Sequence, residues 1–111
     1  MSKTFNINSY GEKYTCAFDV AKYSNNGNTA IRILYYDKDF ECYMPYATLT
    51  VNFKKLPENM VYLDTNNCPW AEDIVDELNL GEPTDCFEFS GFCVYPQYCL
   101  NMDKIKEYKV K

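Results

Sequence analysis

The sequence predicts an α+β fold: a curved antiparallel β-sheet of five or six strands with one amphipathic helix, residues 69–80, packed on one face. Three observations predict it: period-two alternation across residues 13–37, helical apolar spacing between Pro69 and Gly81, and renewed alternation from Cys86 to Ser90. Alternation at period two buries one face of a strand, whereas a period near 3.6 buries one stripe of a helix. At 111 residues the chain is expected to be a single domain, 1–111, with residues 104–111 frayed.

Taken in order, Tyr14, Cys16, Phe18 and Val20 share one face of the first long strand, with Thr15, Ala17 and Asp19 on the other. Asn25-Asn26-Gly27-Asn28 suits the positive φ angles of a hairpin turn. The return strand carries Ile31, Ile33 and Tyr35 opposite Arg32, Leu34 and Tyr36. Asp37-Lys38-Asp39 forms the next turn and Phe40–Tyr43 begins another strand, in which Pro45 marks an edge or a bulge. Ala47–Phe53 continues the strand pattern through Leu49, Val51 and Phe53. Leu56-Pro57-Glu58-Asn59 turns the chain into a short strand, Met60–Leu63.

The helix follows. Pro69 suits its first position, Gly81 its C-terminal cap, and Pro83 prevents continuation. At about 100° per residue, Trp70, Ala71, Ile74, Val75 and Leu78 fall within an arc of about 140°, while Glu72, Asp73, Asp76 and Glu77 occupy the opposite one. Cys86–Ser90 is a strand, Gly91 an interruption resembling a bulge, and Phe92–Tyr95 and Tyr98–Leu100 are further short strands. Asn101 is placed to cap a last helical turn through Tyr108.

Charge is the most informative functional feature. Between Leu56 and Asp103 there are ten acidic residues and no Lys or Arg, in a chain of sixteen acids, eleven bases and net charge −5. A folded surface of one sign attracts partners of the other and repels a phosphate backbone. Glu72 and Asp73 interact favourably with the helix N-terminus, but Asp76 and Glu77 lie toward the end where the dipole disfavours them. The pairs Glu72–Asp76 and Asp73–Glu77 also repel at i, i+4, by about 0.2–0.5 kcal/mol each. A solvated face and a partner-facing one both fit this pattern.

Several chemistries are disfavoured. The chain has no histidine, which removes Ser–His and Cys–His catalysis and the commonest metal ligand. Its six cysteines, without an apolar leader in the opening residues, are expected to be reduced, three of them pointing inward. Cys68, near the start of the helix, is the one candidate for a thiolate, with Asp64 nearby to oppose it. Cys86, Cys93 and Cys99 lack the close pairing of structural zinc sites. Phosphate-cradling glycine motifs are missing from a sequence with four Gly. Glu88, on a strand, lacks a partner carboxylate for glycoside hydrolysis. No catalytic residue, metal or cofactor is expected, and the absence of a long apolar run argues against a membrane span.

The stretch Leu63-Asp-Thr-Asn-Asn-Cys-Pro-Trp-Ala-Glu-Asp-Ile, with Asn79-Leu-Gly-Glu-Pro-Thr and Phe89-Ser-Gly-Phe-Cys-Val-Tyr-Pro-Gln-Tyr, resembles a small uncharacterised family. That family is carried on conjugative elements, plasmids and phages of anaerobic Gram-positive bacteria. The resemblance covers about residues 60–100 and departs from the pattern at Asp85-Cys86, where Gly is expected after Pro83-Thr84. It implies a context in which small acidic proteins resemble inhibitors of host defence, of anti-CRISPR or antirestriction type.

The expectation is therefore a cytoplasmic, non-enzymatic protein-binding module. Asp64, Glu72, Asp73, Asp76, Glu77, Glu82, Asp85 and Glu88 would meet the basic surface of a nucleic-acid-binding protein such as a CRISPR or restriction effector. Exposed members of Tyr35, Tyr36, Tyr43, Tyr46, Tyr95 and Tyr98 would act as anchors. The alternatives are an assembly subunit of a mobile element that forms a homo-oligomer, and an enzyme built on carboxylates or Cys68.

Overall fold

The structure, a computed structural model, describes residues 3–110. It contains β1 (Phe5–Ser9), β2 (Glu12–Lys22), β3 (Thr29–Asp37), β4 (Cys42–Thr48), β5 (Thr50–Val51), β6 (Met60–Leu63), α1 (Ala71–Glu77), β7 (Gly81–Ser90), β8 (Cys93–Leu100) and α2 (Met102–Glu107). The class is α+β with antiparallel pairing, but the strands form two four-stranded sheets, not one sheet of five or six. Their orders are β1-β2-β3-β4 and β5-β6-β8-β7.

The β2–β3 hairpin forms in the expected register: Cys16, Phe18 and Val20 lie opposite Tyr35, Ile33 and Ile31, all on one face. Gly27 takes the positive φ, 74°. In β4, on the sheet edge, Pro45 pairs with Leu34 and Ala47 with Ile33, so Tyr46 is the extra residue of a bulge beside the proline. The ladder tolerates the missing N–H there.

The second sheet arises because the chain leaves the first at Leu49. Leu49 N–H donates to Ile31 O at 2.8 Å, while its own carbonyl accepts from Asp64 N at 2.8 Å. Alternation continues through this residue, so a sequence pattern reads straight across the switch. The same asparagine cluster that turns the β2–β3 hairpin also holds the segment after β5. Buried Asn28 donates to Asn52 Oδ1 and Lys54 O and accepts from Leu56 N, at 2.9, 2.8 and 2.9 Å.

One core joins the two sheets and both helices. Phe18, Ile31 and Ile33 from the first sheet meet Leu63 and Tyr98 from the second, with Ile74 and Val75 from α1 and Ile105 from α2. Full burial of each such aliphatic or aromatic side chain stabilises the fold by about 1.5–3 kcal/mol. A smaller cluster of Leu56, Tyr62 and Tyr95 covers the opposite face of the second sheet.

Two helix boundaries differ from expectation. α1 begins two residues after Pro69 and is shorter than 69–80, because Trp70 is its N-cap. At the other end Gly81 is not the cap. Asn79 adopts φ 55°, its N–H donates to Asp76 O, and Leu80 N–H donates to Val75 O at 2.9 Å. This is a Schellman ending with Asn in the left-handed position. Gly91 likewise is not a bulge within a strand. Ser90 and Cys93 pair, so Gly91 and Phe92 form a two-residue hairpin turn, with φ 60° at Gly91 as a type II′ turn requires. The bulge falls instead at Asp85, φ 67°, between the Pro83–Tyr98 and Phe87–Pro96 pairs.

At the C-terminus, Asn101 caps α2 by accepting from Lys104 N at 3.2 Å. Beyond it, Phe18 N donates to Tyr108 O and Val110 N to Phe18 O, both at 2.8 Å. Residues 104–110 thus run through α2 onto β2, beyond the point where β1 stops pairing, and Lys111 lies outside the described residues.

Candidate partner-binding surface

The acidic helix is built by its own sequence. Ala71, Ile74 and Val75 are buried, which turns Glu72, Asp73, Asp76 and Glu77 outward. The last turn contains no basic residue. Among the described residues the ion pairs are Lys3–Glu107, Lys22–Glu58, Arg32–Asp19 and Lys54–Glu88, and none of them includes one of these four carboxylates.

Their charge is felt at Tyr98. This residue is 2% exposed beneath α1, and burial, followed by the charge of Glu72 and then of Asp76 and Asp73, pushes its phenol up to about 12. Beside it lies a cleft of about 100 Å³ between α1 and β7, lined by Glu72 on one side and Asp85 on the other, with Pro83, Phe87, Pro96 and Tyr98 between. Folding therefore brings Asp85 to the acidic helix face through the bulge that turns its backbone.

The eight predicted residues do not share one surface. Glu82 pairs with Cys99 and Glu88 with Tyr95, and both strand partners alternate with Tyr98, so these two carboxylates lie on the sheet face opposite α1. Glu88 stands 4.0 Å from Lys54. Asp64 uses its carboxylate in a turn, accepting from Asn67 N and Nδ2 at 3.3 and 2.9 Å. The acidic surface that remains is Glu72, Asp73, Asp76, Glu77 and Asp85.

The aromatic anchors are also redistributed. Tyr95 and Tyr98 are buried, Tyr35 and Tyr46 pack on the main core, and Tyr43 is half-buried against Tyr36, which is exposed. Among the described residues, four large exposed apolar side chains cluster on the β7–β8 hairpin, Phe87 at 54%, Phe89 at 68%, Val94 at 46% and Phe92 at 107%, while Tyr10, Tyr36 and Phe40 are exposed elsewhere. Phe87 and Phe89 lie opposite Pro96 and Val94, on the same sheet face as the cleft and α1. Sequence reasoning missed them because alternating phenylalanines in a strand ordinarily mark the buried face.

The cysteines are free thiols. Two are buried, Cys16 and Cys68; Cys93 is half-buried and the others are exposed, so fewer point fully inward than the alternation suggested. Burial pushes the Cys68 thiol up to about 11, with Asp64 adding to the shift, away from the thiolate that a helix start would favour. Among the described residues no three His, Cys, Asp or Glu side chains gather as metal ligands, and no helix is long and apolar enough to cross a membrane.

A family model described as "Domain of unknown function (DUF4313)" matches residues 16–111. The chain belongs to the DUF4313 family. The match includes both helices, the second sheet and every residue of the acidic surface, and leaves β1 outside. No curated protein and no solved structure matches this DUF4313 chain.

Proposed function

We propose that this DUF4313 protein is a non-enzymatic, cytoplasmic binding module from a mobile element, and that it inhibits a host defence nucleoprotein of the CRISPR or restriction type. The contact is the acidic face of α1, extended by Asp85, against a basic nucleic-acid-binding surface of the effector. One observation carries this reading: among the described residues Asp76 and Glu77 have no ion-pair partner in the last turn of α1, where the helix dipole and their i, i+4 neighbours both disfavour them. Helix stability would be better served by a basic residue there. A partner that supplies Lys or Arg turns this unfavourable arrangement into attraction and speeds encounter.

The test is a binding assay with purified CRISPR and restriction effectors, comparing wild type with a Glu72→Gln, Asp73→Asn, Asp76→Asn, Glu77→Gln variant. The reading expects wild type to bind an effector and displace its nucleic acid, with binding lost in the variant and in high salt. Equal binding by both forms would refute it.

A second reading, an assembly subunit that forms a homo-oligomer, is favoured by the unpaired outer edge of β7 and its exposed phenylalanines. A salt-insensitive dimer in solution would support that alternative.

A further inference from the structure

We infer that the outer edge of β7, from Phe87 to Ser90, accepts an extended segment of a partner protein in which apolar residues alternate with Lys or Arg. β7 ends its sheet, so among the described residues no strand pairs with that edge. Which backbone groups face outward follows from the register. Pro96 has no N–H, so its pair with Phe87 is a non-hydrogen-bonded one. Antiparallel pairs alternate, and Phe89, two residues on, is of the same kind. Both phenylalanines therefore turn N–H and C=O toward the open edge, while their side chains lie exposed on one face. Pro83 and the positive-φ Asp85 interrupt the earlier part of the strand as a docking edge, and neither device is present beyond Cys86.

The sequence of the incoming strand follows from what lies around it. Residues opposite Phe87 and Phe89 share their face and gain most by being apolar. A residue opposite Glu88 lies on the other face, beside that carboxylate. Lys54 stands 4.0 Å away with its side chain 69% exposed, free to swing into solvent. A basic residue suits this position. A second copy of this chain paired about Glu88 would set its own Glu88 directly opposite, a like-charge contact. The partner's charge is the one element taken from the proposed function.

The test uses three end-blocked synthetic hexapeptides: alternating Val-Lys, the same residues as a Val block followed by a Lys block, and alternating Val-Glu. Binding to the full chain is followed by amide NMR. Alternating Val-Lys should bind about tenfold or more tighter than either control. It should slow hydrogen exchange at the Phe87 and Phe89 amides, and a Glu88→Lys variant should shift the preference to Val-Glu. Equal binding of the three peptides, protection located elsewhere, or protection of Phe87 and Phe89 in a peptide-free dimer would each overturn the inference. If the Val-Lys peptide fails while a full-length effector still binds through α1, this edge assignment falls and the proposed function stands.

Discussion

The Thr50 hydroxyl accepts a hydrogen bond from the buried backbone N–H of Ile31 at 3.1 Å, across the point where the chain passes from one sheet to the other. β4 has ended at Thr48, and Leu49 N–H and this hydroxyl continue the bonding to Ile31 along β3. The same oxygen lies 3.1 Å from the Tyr23 hydroxyl. A side chain thus stands in for a strand at the corner of the fold.

Thr50→Val keeps shape and β-branching but leaves Ile31 N–H without an acceptor. The loss should be about 2 kcal/mol, the cost of an unsatisfied buried donor. Thr50→Ser should retain most of the stability. Urea unfolding of the three proteins checks this, and an unchanged midpoint for Thr50→Val would remove the corner bond from the account.

At the end of α1 two positions, Asn79 and Gly81, should respond in opposite ways. A Cβ on Gly81 would stand 2.4 Å from the Cys99 carbonyl oxygen and 2.9 Å from Leu100 Cα, both of them backbone atoms. Gly81→Ala should therefore cost about 2–3 kcal/mol by overpacking. Asn79 holds the left-handed conformation that glycine adopts freely, so Asn79→Gly should be neutral or stabilise by up to about 1 kcal/mol. Thermal melts of the two variants test this division of roles.

These two positions also illustrate how far local sequence reached. The Pro69–Gly81 interval located the helix, and its apolar arc identified the buried face, because 3.6-residue spacing depends on local geometry alone. Which residue ends the helix depends on how closely Cys99 and Leu100 of β8 approach Gly81, a contact between segments far apart in the chain. The sheet switch at Leu49 was invisible for a related reason: alternation continues unbroken through a residue whose N–H and C=O serve different sheets. For the candidate site, the acidic face of α1 was legible from periodicity. The exposure of Phe87 and Phe89, and the turning of Glu82 and Glu88 to the far side, required the β7–β8 register and the bulge at Asp85.

The cysteines should divide by accessibility. Cys42, Cys86 and Cys99 are exposed, whereas Cys16 and Cys68 are buried with thiols pushed up to about 11 by burial. Under native conditions at neutral pH a thiol reagent should modify the exposed three promptly. Cys16 and Cys68 should react only as the fold opens, because the thiolate is the attacking form and both protonation and burial oppose it. Mass spectrometry of peptides after timed labelling gives the order. Early modification of Cys68 would instead revive it as a nucleophile.

Alkaline titration tests the packing of Tyr98 under the acidic helix. Its phenol is raised from an ordinary 10.0 to about 12 by burial first and the charge of Glu72 next, and the Cys16 and Cys68 thiols from 9.0 to about 11. Each group loses its proton more readily in the unfolded chain than in the folded one. The unfolded state then binds fewer protons, and stability falls as pH rises through the interval between the two values. Stability should decline from about pH 9 as the unfolded thiols ionise, and decline further between about pH 10 and 12 as unfolded Tyr98 does. Tyr98→Phe should abolish the Tyr98 contribution to the upper part of this loss while leaving the lower part in place. Glu72→Gln should let the folded phenol ionise at lower pH, read as tyrosinate absorbance, without freeing it entirely because burial is the larger cause. An upper limb unchanged in Tyr98→Phe would mean that the phenol is not held neutral beneath α1.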